Sequence, residues 1–309
     1  MQPSPEISDM KQVKCPSCGA TLSYKPGTTS QACEYCHSTF EIASEQELVQ
    51  AAKAEKDLQT ALAGDWQQAQ AGGQSAVVKC PSCGAETALG TSMFSGSCTF
   101  CGSVLTVKPD TKAVANPQAV LPFKLERPAA TAYYQNWLRK LWFAPNDLKN
   151  TASADRFNGV YLPFWTFDAF TSSWWQAEAG HFYYVTENVW VTDNRGQRVQ
   201  QARQVQKIRW EPASGQLQMF LDDVLVPAGG QIDKAMIQSL YPFDTKTLVP
   251  YKPEFLAGWG AEAYTVDLKQ GWTSGQAIMK SQIEQACAAR VPGDTQRNLR
   301  VNTAFSKMT

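Results

Sequence analysis

Hydrophobic and polar positions follow readable periods along the last two thirds of the chain, and breaks in those periods mark its elements. Val120–Leu125 reads as a strand. Pro128 then opens a helix that sets Tyr133, Trp137 and Leu141 on one face and ends near Ala144-Pro145. Val160–Trp175 is a strand pattern dense in aromatic rings. Phe182–Thr192 and Val199–Trp210 flank a turn at Asp193-Asn194-Arg195-Gly196, and Ser214-Gly215 reads as a second turn into Gln216–Leu221. The expected outcome is an antiparallel meander. A short helix near Ile232–Leu240, a strand at Ala261–Leu268, a helix at Thr273–Arg290 and a strand at Asn298–Phe305 complete the pattern. Strand–helix–strand thus occurs twice, at 120–167 and 261–305, which raises an internal duplication of an α+β unit.

The first third follows a different rule, a repeat. Cys15, Cys18, Cys33 and Cys36 recur as Cys80, Cys83, Cys98 and Cys101, and both copies open with Lys-Cys-Pro-Ser-Cys-Gly-Ala. Cys-x-x-Cys wraps a tight knuckle that aims two sulfurs at one ion. The glycines after the second cysteine (Gly19, Gly84, Gly102) suit the left-handed backbone such a knuckle favours. A ribbon of this size buries too little apolar surface to fold unaided, so the metal must supply the missing stability. Four thiolates complete a tetrahedron with no open position. The spacing therefore predicts two structural Zn²⁺ ions, with His37 a bystander.

The organisation expected is a zinc ribbon at 11–43, a spacer helix at 44–72, a second ribbon at 77–109, a linker at 110–118 and an α+β domain at 119–309. The last is an antiparallel sheet with packed helices. The spacer begins at the capping box Ser44-Glu45-Gln46-Glu47, keeps Leu48, Leu58, Leu62 and Trp66 on a stripe, and stops at Ala71-Gly72-Gly73. It serves either to hold the ribbons apart or to dock a partner.

Charge narrows the function. Lys plus Arg equals Asp plus Glu at 28 each, for a formal net charge of zero over 309 residues. Each zinc with four thiolates adds −2, which disfavours a phosphate backbone as partner. Residues 1–14 lack the apolar core of a signal peptide, and no run of roughly 18 apolar residues occurs, so a cytoplasmic protein is expected.

Other constellations have bland readings beside the sharp ones. Phe164, Trp165, Phe167, Phe170, Trp174, Trp175, Tyr183, Tyr184 and Trp190 could stack bases, yet no Lys or Arg lies between Phe157 and Trp190. Sheet core is the first reading of these rings, and a protein- or lipid-facing surface the second. Arg195, Arg198, Arg203, Lys207 and Arg209 form a basic stretch, with Arg203, Lys207 and Arg209 on one face beside Val199 and Val205. It is either a solvated edge or a surface for an anionic partner or membrane. Only His37 and His181 exist as histidines, no phosphate-cradling loop appears, and Asp222 and Asp223 are expected to point to opposite sides of a strand. No catalytic set emerges. Cys287 fits a buried small hydrophobe.

Several longer motifs resemble a bacterial family: Leu141-Trp142-Phe143-Ala144-Pro145-Asn146-Asp147-Leu148-Lys149, Gly159-Val160-Tyr161-Leu162-Pro163-Phe164-Trp165-Thr166-Phe167-Asp168, Phe220-Leu221-Asp222-Asp223-Val224-Leu225-Val226-Pro227 and Gly293-Asp294-Thr295-Gln296-Arg297. Its members carry paired transcription factor IIB-type zinc ribbons and are often labelled primosomal protein N′ (replication factor Y)-like. The resemblance spans about Lys14 to Thr309. It implies a non-enzymatic adaptor that joins proteins in a membrane-stress or membrane-remodelling system. The implied partners are SPFH-domain and phage-shock-protein-A-like proteins, at the inner face of the cytoplasmic membrane, with membrane contact indirect or peripheral. The family label suggests a nucleic-acid-associated alternative. Relatives continue past Thr309 with further strands, which implies a short form or a C-terminally truncated chain.

Overall fold

The computed structural model describes residues 14–42, 54–63, 75–89, 98, 100–103, 110–112, 117–141, 158–192 and 194–309. In chain order its first elements are β1 (Leu22–Tyr24), β2 (Ser30–Cys33), β3 (Thr39–Glu41), α1 (Leu58–Ala63), β4 (Ser75–Lys79), β5 (Glu86–Leu89), β6 (Asp110–Lys112), β7 (Ala119–Val120), α2 (Arg127–Lys140) and β8 (Val160–Tyr161). There follow β9 (Phe164–Thr192), β10 (Arg198–Pro227), α3 (Lys234–Ser239), β11 (Val249–Pro250), β12 (Gly260–Ala261), α4 (Leu268–Ala288) and β13 (Thr295–Ser306). The class is α+β. The chain forms two compact units, each built from separated stretches: Met1–Trp165 with Leu225–Gly271, and Thr166–Val224 with Trp272–Thr309.

In the first unit each cysteine repeat builds a small antiparallel sheet, in the orders β1-β2-β3 and β5-β4-β6. The first ribbon shares its core with residues far along the chain. Tyr24 and Ile42 pack with Val120, Phe255, Leu256, Trp259 and Ala261. The Tyr24 ring meets Phe255 edge-on at 5.4 Å, and Phe123 lies 4.6 Å from Trp259. Polar links fix the register. Tyr24 N donates to Ala257 O at 2.9 Å, Trp259 Nε1 donates to Tyr24 O at 3.2 Å, and Gln31 Nε2 donates to Glu254 O at 3.2 Å. Burying rings of this size contributes about 2–3 kcal/mol each, an amount the small ribbon could not gain from its own side chains. The second ribbon joins by a bridge between Thr87 and Glu262, with Ala263 N donating to Glu86 O at 3.0 Å. Glu262 is buried and accepts from Gly230 N and Gln231 N at 2.6 and 2.8 Å, so its charge is matched by backbone dipoles.

The second unit is a three-stranded antiparallel sheet in the order β10-β9-β13. Burial alternates along β9 from Phe167 to Ala179: Phe167, Ala169, Thr171, Ser173, Trp175, Ala177 and Ala179 are buried, and the residues between them are not. The helix α4 contributes Trp272, Met279, Ile283 and Cys287, all buried. Phe167 and Trp272 meet edge-on at 5.4 Å. Two buried hydroxyls are satisfied, Thr171 Oγ1 by Met219 O at 2.9 Å and Ser173 Oγ by Thr303 Oγ1 at 2.8 Å.

Five expectations need correction, the first being the strand at Val120–Leu125, of which only Val120 is paired, in β7. The meander is one long hairpin, because Ser214-Gly215 lies inside β10 and not at a turn. A Cβ on Gly215 would fall 2.6 Å from Trp175 Cζ2, so that glycine makes room for an indole. Ala261–Leu268 is not a strand beyond β12: Asp267 accepts from Gln270 N at 2.7 Å and caps α4, which therefore starts five residues earlier than expected. The expected stripe Tyr133, Trp137 and Leu141 faces out, at 66%, 53% and 37% exposed, while Thr131 and Leu138 are buried. Finally, residues 54–57 are not helical. Asp57 Oδ1 accepts from Thr60 N at 2.8 Å and starts α1, so the spacer is not one unbroken helix through this stretch. The capping box at Ser44, the stop at Ala71-Gly72-Gly73, residues 113–116 of the linker and the helix end at Ala144-Pro145 lie outside the described residues. The two strand–helix–strand stretches also differ in build: β7 and β8 have two residues each around α2, whereas α4 runs 21 residues into a twelve-residue β13.

Candidate metal centres

Each centre is made of two knuckles, and all four knuckles are closed by the same pair of hydrogen bonds. The first cysteine of each pair accepts from the residue after the second: Gly19 N to Cys15 O, His37 N to Cys33 O, Gly84 N to Cys80 O and Gly102 N to Cys98 O, at 2.8–2.9 Å. The first cysteine's own amide donates two residues beyond the second, to Ala20, Ser38, Ala85 and Ser103, at 2.7–2.9 Å. Closing so tight a loop demands a left-handed residue. Gly19, Gly84 and Gly102 have φ of 75°, 75° and 72°, and His37 adopts 60° in the fourth knuckle.

The eight cysteines foreseen from the spacing come together as two groups, Cys15-Cys18-Cys33-Cys36 and Cys80-Cys83-Cys98-Cys101, each with its sulfurs within 4.8 Å of one another. All are free thiols. Cys15 Sγ lies 3.5 Å from Cys36 Sγ and Cys18 Sγ 3.5 Å from Cys33 Sγ; the matching pairs Cys80–Cys101 and Cys83–Cys98 are both at 3.7 Å. Sulfurs about 2.3 Å from a tetrahedral zinc stand about 3.8 Å apart, close to these separations and far from a disulfide. The donor set suits Zn²⁺. Such an ion would cross-link two knuckles and act as a structural clamp, since all four positions are taken by protein. His37 is in neither group.

Two serines that the spacing argument passed over complete the sites. Ser103 Oγ lies 2.9 Å from Cys101 Sγ and 3.3 Å from Cys80 Sγ, and Ser38 Oγ lies 3.3 Å from Cys36 Sγ. They occupy the same place in the repeat, two residues after the last cysteine, and that coincidence was the available signal. Their hydroxyls favour the ionised sulfur. The Ser38 side chain and then its amide bring Cys36 down to about 6; the Ser103 hydroxyl and then the Cys83 amide bring Cys80 down to about 6. Cys18 and Cys83 go the other way. Amides at Ala20 and Ala85 pull them down, but burial and the neighbouring thiols outweigh this and push both up to about 12. Each site thus sets thiols lowered toward ionisation, Cys36 in the first and Cys80 with Cys101 in the second, beside one raised thiol whose proton a bound metal would displace to solvent.

A third cluster, Asp168 with Asp222 and Asp223, lies in the second unit. Adjacent aspartates were expected to point apart. They converge because Asp223 has φ 51° and the burial alternation of β10 slips by one there, with both aspartates exposed between buried Leu221 and Val224. Asp168 Oδ1 accepts from Asp223 N at 2.6 Å. Such exposed acidic groups are common without an ion.

Cys287 is fully buried, and burial pushes its thiol up, as suits a packed hydrophobe. The aromatic set divides between two roles: Phe167 and Trp175 are core, while Trp174, Tyr184 and Trp190 are 48%, 63% and 60% exposed. Among the described residues no helix is long and apolar enough to cross a membrane.

No family model and no solved structure matches the chain. Among curated proteins it is similar to the uncharacterized protein YdjG of Bacillus subtilis (strain 168), 20% identical over 186 residues. That stretch covers 60% of this chain and 50% of YdjG, so the chain spans about half the length of the curated relative it matches.

Proposed function

We propose that this chain is a non-enzymatic, zinc-dependent adaptor whose ribbons are docking heads for other proteins. The observation that carries the reading is the pair of four-thiolate clusters. Each offers four thiolates to one ion, so a bound zinc would have no position left for a substrate or an activated water. Metal in such a site stabilises shape, and shape suits contact more than chemistry. The exposed knuckle residue Tyr35, at 81%, adds an aromatic contact point on the first ribbon. The resemblance to the double zinc-ribbon family supports partners of the SPFH-domain or phage-shock-protein-A-like kind, in a membrane-stress setting at the inner face of the cytoplasmic membrane.

The test is affinity purification of the full-length chain at native level from its host, with detergent-solubilised membrane and in parallel after chelation. Metal analysis of the same preparation should find close to two zincs per chain. Recovery of SPFH or phage-shock-type proteins that is lost on chelation supports the adaptor. Recovery of replication proteins, or retention on single-stranded DNA at physiological salt, would replace it with the nucleic-acid reading.

A further inference from the structure

Beyond Gly180 the long hairpin loses its third strand. β13 pairs with β9 only between Phe170 and Gly180, and β9 and β10 continue as a two-stranded arm to the turn at 194–197. None of the described residues from His181 to Arg209 is buried. At about 3.3 Å per residue, 181–192 reaches roughly 40 Å. Two strands with no core beneath them are marginal in water. Yet this arm exposes Phe182 at 40%, Tyr184 at 63%, Trp190 at 60% and Ile208 at 41%.

The two faces of the arm differ. A Cβ on Gly180 would lie 2.9 Å from both Ile208 Cγ2 and Trp210 Cζ3, so even-numbered residues of the two strands share a face. Phe182, Tyr184 and Trp190 belong to it by alternation, as does one cation, Arg198, and Tyr184 Oη donates to Gln206 Oε1 at 3.5 Å. The opposite face carries the cations Lys207, paired with Glu187, and Arg209, 2.9 Å from Glu211, with Arg203 and one ring, Tyr183 at 44% exposed, placed there by the same alternation. Between 181 and 209 the sequence has five cations (Arg195, Arg198, Arg203, Lys207, Arg209) against Glu187 and Asp193. That gives 5 − 2 = +3 in a chain of net charge zero.

We propose that this arm binds the surface of an anionic phospholipid bilayer, ring face toward the acyl boundary and cations reaching lipid phosphates. Charge complementarity selects the occupant. Two arms of +3 repel, which disfavours a second copy, whereas an anionic leaflet attracts them. Single-stranded nucleic acid needs rings and cations on one face, so that bases stack while phosphates are neutralised; here three of the four exposed rings (Phe182, Tyr184, Trp190) lie opposite three of the four strand cations (Arg203, Lys207, Arg209). A face dominated by aromatic residues opposite one dominated by basic residues is what an element lying in the membrane interface requires, with Tyr183 and Arg198 the exceptions, and long basic side chains can reach round the ribbon to the headgroups. The proposal does not depend on the adaptor reading.

The experiment is co-sedimentation of the full-length, zinc-loaded chain with phosphatidylglycerol-containing vesicles and with pure phosphatidylcholine vesicles. Binding to the first and not the second is expected. Each cation near an anionic surface changes partitioning about fivefold, so Arg198→Glu with Arg203→Glu should weaken binding by at least about 25-fold. Tyr184→Ser with Trp190→Ser should weaken it without altering circular dichroism or zinc content, since neither ring is buried. Equal binding to neutral vesicles, unchanged binding by the charge-reversed variant, or tight binding to a single-stranded oligonucleotide that vesicles fail to displace would each overturn the proposal. Loss of protein partners with vesicle binding intact would count against the adaptor reading alone.

Discussion

His37 holds φ 60° where the other three knuckles place glycine, and it is exposed. Left-handed backbone strains any residue with a Cβ, so His37→Gly should stabilise the first ribbon by about 0.5–1 kcal/mol, after the greater freedom of glycine in the unfolded chain is offset. Slower zinc loss to a chelator from the first site, with the second unchanged, is the measurement. Ser103 touches two sulfurs and Ser38 one. Partners just outside the ligands typically shift metal affinity by about 10–100-fold, so Ser103→Ala should weaken the second site more than Ser38→Ala weakens the first, with Thr restoring much of either loss. Acid should act through the same thiols. Cys36 and Cys80 are lowered to about 6 in the metal-free site, so their ionised forms are present above that value and lost below it. Zinc affinity should therefore fall as pH drops from 8 to 5, most steeply below about 6. A pH-independent affinity in competition with a chromophoric chelator would contradict this.

At the scale of elements, Gly215 carries the sharpest expectation. Its neighbour Trp175 is 5% exposed, and an added methyl would overlap the indole at 2.6 Å. Gly215→Ala should cost about 1–3 kcal/mol in denaturant unfolding, while Gly196→Ala at the open hairpin turn should cost less and only through its positive φ. The glycine also shows what a sequence conceals. Ser-Gly between two alternating runs is a turn signal as good as any, and only the ring lying across the strand converts it to mid-strand. The metal centres were legible because a repeated spacing is local and chemically restrictive. The helix α4 was legible in its body, where Ile283 and Cys287 share a buried face, though its start was not, since Asp267 lay inside a stretch that read as strand and Trp272 fell before the expected helix. The stripe on α2 was legible as a stripe. Periodicity gives the angle between side chains but not the side from which the core approaches. The convergence of Asp222 and Asp223 depended on a backbone slip, which alternation alone cannot announce.

At the scale of the whole molecule, the first ribbon is held by Phe255, Leu256 and Trp259 as much as by its own strands. Removing zinc should therefore loosen more than residues 15–36. Hydrogen exchange after chelation should rise in Leu22–Cys33 and across 249–261 together, while Phe167–Ala179, whose core contains no cysteine cluster, keeps its protection. Rising exchange confined to the knuckles would show the ribbon to be an independent module. The same feature constrains how the molecule is made. Tyr24 leaves the ribosome 235 residues ahead of Trp259, and at about 5–20 residues per second that gap lasts roughly 10–50 s. During this interval the first ribbon can fill with zinc, but its apolar flank at Tyr24 and Ile42 lacks Phe255, Leu256 and Trp259 to cover it. Nascent chains stalled before residue 255 should accordingly engage chaperones through a metal-loaded ribbon, and release them once Trp259 emerges.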